Sequence, residues 1–325
     1  MQVFKNRKAV RNGCLFFLLM IGLLAVASQL IDPVFWYERG DIEDRNKCIA
    51  GVLAEEKNTL DVLVLGDSET YTSFSPLQLW QEQGIPAYVC GQSGQWMQEA
   101  YYILKTVLKK QDLKVLILET NLFFRCQGIK QDVQLSLGEL TAYYFPIFRY
   151  HNLWKEAFDE ETDCLTSYKG FEIRSVVEAY QGGEYMQQEN VSAKFSSYGQ
   201  LYFRQILRLC KKHGIQVLLY SVPSPSNYNY CTHDALSTLA GEKGIAYVDL
   251  NLMTEELGLD WEKDSLDGGD HLNLSGAQKV TAYMGEYLKE TYILPDRREE
   301  KAYQSWNEMA EKYKKKKDKC LDGMK

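Results

Sequence analysis

The stretch DGGDH, residues 267–271, sets one of only four histidines behind two carboxylates and two glycines. An acidic, glycine-bearing loop offers little apolar surface against which to pack an imidazole, so these residue types point to proton transfer. A histidine used in that way needs a carboxylate to hold its tautomer and stabilise the imidazolium, and Asp267 and Asp270 are both at hand. It also needs a nucleophile. Ser68, in LGDSETYTSF, stands where an apolar run gives way to a helix pattern. There a hydroxyl projects above a sheet edge and a helix N-terminus favours developing negative charge. The candidate constellation is therefore Ser68 as nucleophile, His271 as general base and acid, and one of the two aspartates as its partner. Asp267 is preferred, because adjacent side chains in an extended loop diverge whereas an acid across two glycines can curl back to the ring; Asp270 is held in reserve.

The other histidines have weaker settings. His213 closes a helix pattern ending Lys-Lys-His-Gly, where a cation suits the helix C-terminus. His151 lies in the aromatic stretch TAYYFPIFRYHNLW and His233 follows YNYC; with Trp96 and Trp154 they are candidates for substrate contact. No Cys-x-x-Cys pair and no Cys/His set at metal-ligand spacing occurs, so no metal and no organic cofactor is expected.

The elements that must position these residues are legible as alternating patterns. DVLVLGD (61–67), AYVCG (87–91), KVLILET (114–120), IQVLLYSV (215–222) and IAYVDLN (245–251) read as strands apolar on both faces. Helix patterns such as MQEAYYILKTVLKK and GQLYFRQILRLCKKHG lie between them. The expected fold is three-layer α/β/α around a five-stranded, parallel, doubly wound sheet, with ligands beyond the carboxyl ends of the strands. A long insertion at 125–195 reads as a small helical subdomain with its own core, as a lid over the strand ends, or as both. The segment 299–325 reads as a charged tail, a frayed or surface helix.

Lys5, Arg7, Lys8 and Arg11 precede an apolar run from Cys14 to Ile31. As a helix it spans roughly 27 Å at about 1.5 Å per residue, close to a hydrocarbon core. Basic residues before it and acids after it predict a transmembrane anchor at 13–31, with residues 1–12 cytoplasmic, a juxtamembrane region at 32–58 and the main domain at 59–298 outside the cell. A cleaved signal peptide, with Ala25-Val26-Ala27 as its processing site, is the alternative. The net charge of −7 excludes nucleic acid as the expected partner. Of eight cysteines, six fall in the exported part, where disulfides and buried thiols are both open.

Taken together, LGDSE (65–69), GQSG (91–94), ETN (119–121) and DGGDH (267–271) resemble the four blocks of the SGNH, or GDSL-type, hydrolase family, spread over most of residues 61–290. The resemblance implies an oxyanion hole built from the Ser68 amide, the Gly94 amide and the Asn121 side chain. Two departures stand out: the third block is usually Gly-x-Asn-Asp, and the last usually spaces its acid three before the histidine, where this chain has Gly268. The anchored arrangement resembles tethered family members that decorate cell-surface polymers, such as alginate O-acetyltransferases and the teichoic-acid D-alanylation protein. That likeness implies O-acyl transfer, with acetyl the expected group, to an envelope polysaccharide or teichoic-type polymer, and a multispanning membrane acyltransferase as partner. A deacetylating esterase, or a glycan-binding protein that has lost catalysis, are the alternatives.

Overall fold

The computed structural model of the chain describes residues 2–40, 44–153, 168–188 and 193–324. Five strands, β1 (Val62–Gly66), β2 (Ala87–Gly91), β3 (Val115–Glu119), β4 (Gln216–Ser221) and β5 (Ala246–Asp249), pair in parallel in the order β2-β1-β3-β4-β5. Each lies within one of the five apolar runs. The helices among the described residues are α1 (Gln2–Gln29), α2 (Pro33–Glu38), α3 (Asp44–Ala54), α4 (Ser68–Ser73), α5 (Pro76–Gln83), α6 (Met97–Val107), α7 (Ile129–Tyr144), α8 (Ile147–Tyr150), α9 (Ser197–His213), α10 (Tyr230–Lys243), α11 (Leu274–Thr291) and α12 (Gln304–Gly323). They cover both faces of the sheet. Because side chains alternate along a strand, Leu63, Leu65, Leu116, Leu118 and Leu219 enter one core layer. Val62, Val64, Val115, Ile117 and Leu218 enter the other.

The topology opens a crevice at one sheet edge. From β1 the chain steps outward to β2 and then returns past β1 to β3, so the order reverses there and a cleft opens between the carboxyl ends of β1 and β3. Ser68 and Asn121 follow those two strands within two residues. On α9, Lys211, Lys212 and His213 occupy the last turn before Gly214 in a left-handed cap, the setting expected for His213.

The described parts of the insertion pack against the main domain. Helix α7 lies along α6, with Tyr143 against Tyr102 and the Lys105 and Lys109 ammonium groups over the Tyr143 ring. Residues 168–172 then cover the sheet edge, where Val89 N donates to Lys169 O and Glu172 N to Tyr71 O. The chain from 173 to 188 carries neither helix nor strand and runs as a strap. Its amides satisfy loop carbonyls, so it is shaped by distant residues and carries no helical periodicity of its own.

The C-terminal segment is different from a surface tail. Helix α12 buries Trp306, Ala310 and Tyr313, and Tyr303 just before it stacks on Trp80 with centroids 5.4 Å apart. Tyr313 Oη accepts from Ser75 Oγ at 2.9 Å, and Asn307 Oδ1 accepts from Trp80 Nε1 at 2.9 Å. The stripe 303–306–310–313 has helical spacing, but it is narrow and set among lysines. The juxtamembrane region is integrated too, with Cys48, Ile49 and Val52 of α3 in the main core. Lys169 links all three segments: its Nζ lies 2.7 Å from both Glu55 carboxylate oxygens and 4.2 Å from the Trp306 ring centroid. Seven cysteines among the described residues are free thiols, while Cys164 lies outside those residues. Among the described residues one candidate span, Arg7–Glu38, is long and apolar enough to cross a membrane.

Candidate active site

Ser68 is the first residue of α4, whose N-cap Asp67 accepts from Glu69 N at 3.0 Å. The short link between β1 and α4 leaves the serine hydroxyl above the sheet edge. His271 comes from the loop before α11, and its Nε2 lies 2.8 Å from Ser68 Oγ, across 203 residues of sequence. On the other side of the ring Nδ1 lies 2.6 Å from Asp267 Oδ2, while Asp267 Oδ1 accepts the His271 amide at 2.8 Å. A carboxylate that grips both ring and backbone of one residue fixes the imidazole plane. It also selects the tautomer with the proton on Nδ1, leaving Nε2 to accept from the serine. Asp270 Oδ2 stands 3.5 Å from Nδ1, and its Oδ1 is taken by Asn227 Nδ2 at 2.6 Å.

The loop reaches this shape through Gly268 and Gly269, with φ of +74° and +104°, values that L side chains rarely adopt. A Cβ on Gly269 would also meet the Tyr180 ring at 2.7 Å. The strap holds the loop from outside: Gly268 N donates to Glu178 O, Glu178 N to Ser265 O, Tyr180 N to Trp261 O and Leu274 N to Arg174 O. From beneath, Ser224 Oγ donates to Asp270 O at 2.9 Å. The histidine is thus carried on a loop whose backbone groups are tied on two sides.

Opposite the histidine, Asp67 accepts on Oδ2 from Asn121 Nδ2 at 3.0 Å and from the Arg125 guanidinium, with which it forms an ion pair. Asn121 lies in a short 3₁₀ turn after β3. An asparagine amide carries two N–H groups, so one bond to Asp67 leaves a second to offer the crevice. Gly94, with φ +60°, sits in the loop after β2, where a Cβ would lie 3.8 Å from Arg125 Nη1. Arg125 therefore lies between the Gly94 loop and the acid beside Ser68, to which it is bonded. Nothing in its sequence setting, at the start of the insertion, marks it for that place.

No family model matches the sequence. No curated protein matches it. Solved structures similar to it include a protein of the G-D-S-L family from Desulfitobacterium hafniense, at 13 % identity over 70 % of this chain and 99 % of that one, with a TM-score of 0.40. A GDSL-like lipase from Bacteroides thetaiotaomicron has 11 % identity over 77 % of this chain and 98 % of its own, also at 0.40. An acetyl xylan esterase from Butyrivibrio proteoclasticus has 9 % identity over 72 % and 64 %, at 0.32.

Beneath the serine lie two carboxyls that composition alone did not single out. Glu69 is buried, and burial followed by the charges of Asp67, Glu119 and Asp270 pushes its pKa well up, against the Asn227 amide bonded to it at 2.5 Å. Glu119, the last residue of β3, is pushed up to about 8 by burial and then by Asp67. Its Oε1 accepts from Tyr228 Oη at 2.6 Å and from the Asn121 amide. Burial and the neighbouring Asp67 thus favour the protonated form of Glu119, while Asp67 itself is paired with Arg125.

A raised folded pKa means that the folded state holds the proton after the unfolded chain has lost it. The associated stability is full below the unfolded value near 4.5 and is lost as pH rises towards about 8. Glu119→Gln keeps an acceptor for Tyr228 and removes the titration. It is expected to leave stability at pH 5 little changed and to raise it by roughly 1–3 kcal/mol at pH 8, as denaturant midpoints at the two pH values will measure. An equal shift at both would remove Glu119 as the source.

Of the proposed substrate contacts, Trp96 is half-buried at the N-cap of α6, its amide donating to Glu99 Oε2 at 2.8 Å. His151 lies beyond α8, exposed, with Nδ1 3.1 Å from Phe148 O. His233 pairs with Asp249 Oδ2 at 2.8 Å, and this bond raises its pKa. It ends a chain of hydrogen bonds along the sheet edge, from Asp249 through Tyr247, Ser221, Thr120 and Tyr228 to Glu119. Trp154 lies outside the described residues. His271, Asp267 and Asp270 offer ligand atoms within 4.8 Å of one another. Both ring nitrogens already have partners in Ser68 and Asp267, so a cation there would have to displace a hydrogen bond.

Proposed function

We propose that this chain is an extracytoplasmic, serine-dependent O-acyltransferase that modifies a cell-envelope polysaccharide or teichoic-type polymer through an acyl-enzyme at Ser68. The observation that supports it is the continuous Ser68–His271–Asp267 hydrogen-bonded array at the carboxyl ends of the strands. Ser68 Oγ attacks the acyl carbonyl while its proton passes to His271 Nε2, and Asp267 stabilises the resulting imidazolium. The oxyanion is received by the Ser68 and Gly94 amides and the Asn121 side chain, each donor being worth about 3 kcal/mol in such sites. His271 returns the proton to the departing alkoxide. An acceptor hydroxyl then gives its proton to His271 and attacks the ester, and collapse of the second tetrahedral species releases Ser68 with its proton restored. In this reading α1 is retained as an anchor with the domain outside the cell, and a multispanning membrane acyltransferase supplies the acyl group.

Hydrolysis is the second reading. It is favoured by the solvent access of the array, since the Asp267 side chain is 38 % exposed and water competes with a sugar hydroxyl for the same ester. The full chain in detergent, given an activated acetyl ester, is expected to gain an acetyl mass at Ser68; a folded protein without that adduct would leave only a binding role. With glycan acceptors added, acetylated glycan identifies transfer and free acetate alone identifies the esterase. The two aspartates are separable in the same assay. Asp267→Asn is expected to cost about 10³–10⁴-fold in kcat/KM and Asp270→Asn less than about tenfold, given the bond each makes to Nδ1. The reverse order would transfer the role to Asp270.

A further inference from the structure

Helix α7 is turned inside out relative to an ordinary surface helix. Its two acids face inward: Glu139 is buried and paired with Arg149 at 2.6 Å, and Asp132 is buried with Oδ2 3.7 Å from Cys126 Sγ. Five of its apolar residues face outward, Ile129, Val133, Leu137, Leu140 and Tyr144, between 37 and 77 % exposed, while Tyr143 packs inward on Tyr102. At about 100° per residue these five fall in an arc of about 80°, one continuous stripe. Phe148, 49 % exposed, follows on α8. No Asp or Glu is among the exposed residues of α7 and α8, and the one charge there is Lys130. A helix facing water carries the opposite distribution.

The stripe adjoins the apolar N-terminal helix. Ile147 N, opening α8, donates to Ser28 Oγ in the last turn of α1 at 3.4 Å. Tyr150 and Leu153 form a cluster with Ala50, against which Ile31, Trp36 and Tyr37 pack. One end of the stripe is therefore fixed at the level where α1 would leave a bilayer. Tyr144, Phe148 and the half-exposed Phe35 are there too, as expected of aromatics at an interface. The other end begins at Ile129, four residues after Arg125, whose guanidinium holds the Asp67 carboxylate beside Ser68.

We propose that α7 and α8 form a second membrane contact, with the stripe seated in the headgroup–acyl boundary of the phospholipid bilayer that α1 crosses. A helix with such a face, no outward acid and an outward lysine suits an anionic lipid surface. The contact orients the domain, so that the segment leading from α7 to Arg125 and the crevice starts at the bilayer surface instead of swinging on a tether. This inference rests on the reading of α1 as a retained anchor, and its test separates the two.

The full chain is reconstituted in phosphatidylcholine–phosphatidylglycerol vesicles with a photoreactive benzophenone side chain in place of Leu19 on α1, Leu137 on the stripe or Lys243 at the exposed end of α10. All three positions are exposed, so folding is expected to tolerate the replacements. Phospholipid adducts at both Leu19 and Leu137, with Leu137 roughly tenfold above Lys243, would support the surface contact. Lipid adducts at Leu19 with none at Leu137, or a crosslinked chain dimer at Leu137, would overturn the contact and leave the anchor standing. Failure of Leu19 to label lipid would remove the anchor and the contact together.

Discussion

Ser68→Ala is expected to reduce turnover of an activated acetyl ester by about 10⁴-fold or more and to abolish the acetyl adduct, with thermal stability nearly unchanged. The reason is that the serine hydroxyl is the one group at the crevice bonded to Nε2 of a histidine whose other nitrogen is held by a carboxylate. Stability is expected to survive because the substitution leaves an imidazole nitrogen that water can reach, costing under about 1 kcal/mol. His271→Ala is expected to lose as much. The double variant should be hardly worse than either single one, because residues that act as a unit do not add. Initial rates, intact-protein mass and melting curves on the three variants check this. Substantial turnover in Ser68→Ala would end the acyl-enzyme reading.

Trp306→Ala is expected to destabilise the fold by about 3–5 kcal/mol, the range for removing a buried aromatic. Trp306 is 2 % exposed, packs on Trp80 and Tyr303, and lies under the Lys169 ammonium that Glu55 holds. Truncating it opens a cavity where α5, α12 and the residue-169 turn meet, and it removes the aromatic face over which a buried cation sits. Lys315→Ala on the exposed side of the same helix is expected to stay within about 0.5 kcal/mol. Urea denaturation of both variants measures the contrast. A cost below about 1 kcal/mol for Trp306→Ala would return α12 to the status of a surface tail.

The interior also gives Glu119 and Asp67 a role in placing Asn121. Glu119 accepts the Asn121 amide and the Tyr228 hydroxyl, and Asp67 receives the Asn121 side chain. Asn121 is thus oriented by this chain's own acids.

What the sequence determined by itself was local. Runs apolar on both faces could only be central strands of a covered parallel sheet, and Ser68 had to follow the first of them. Two glycines between Asp267 and Asp270 allowed the more distant acid to reach the ring, because a backbone at positive φ can reverse over so short a distance. The tertiary structure decided whatever depends on partners far away in the chain. Four sparse apolar positions among lysines make α12 a core helix because Trp80 and Ser75 wait more than two hundred residues earlier. The strap from 173 to 188 has no pattern of its own because its conformation is set by the loop carbonyls and amides it bonds. Arg125, Glu69 and Glu119 owe their roles to burial and to neighbouring charge, and desolvation is a property of the surroundings that residue type and spacing do not encode.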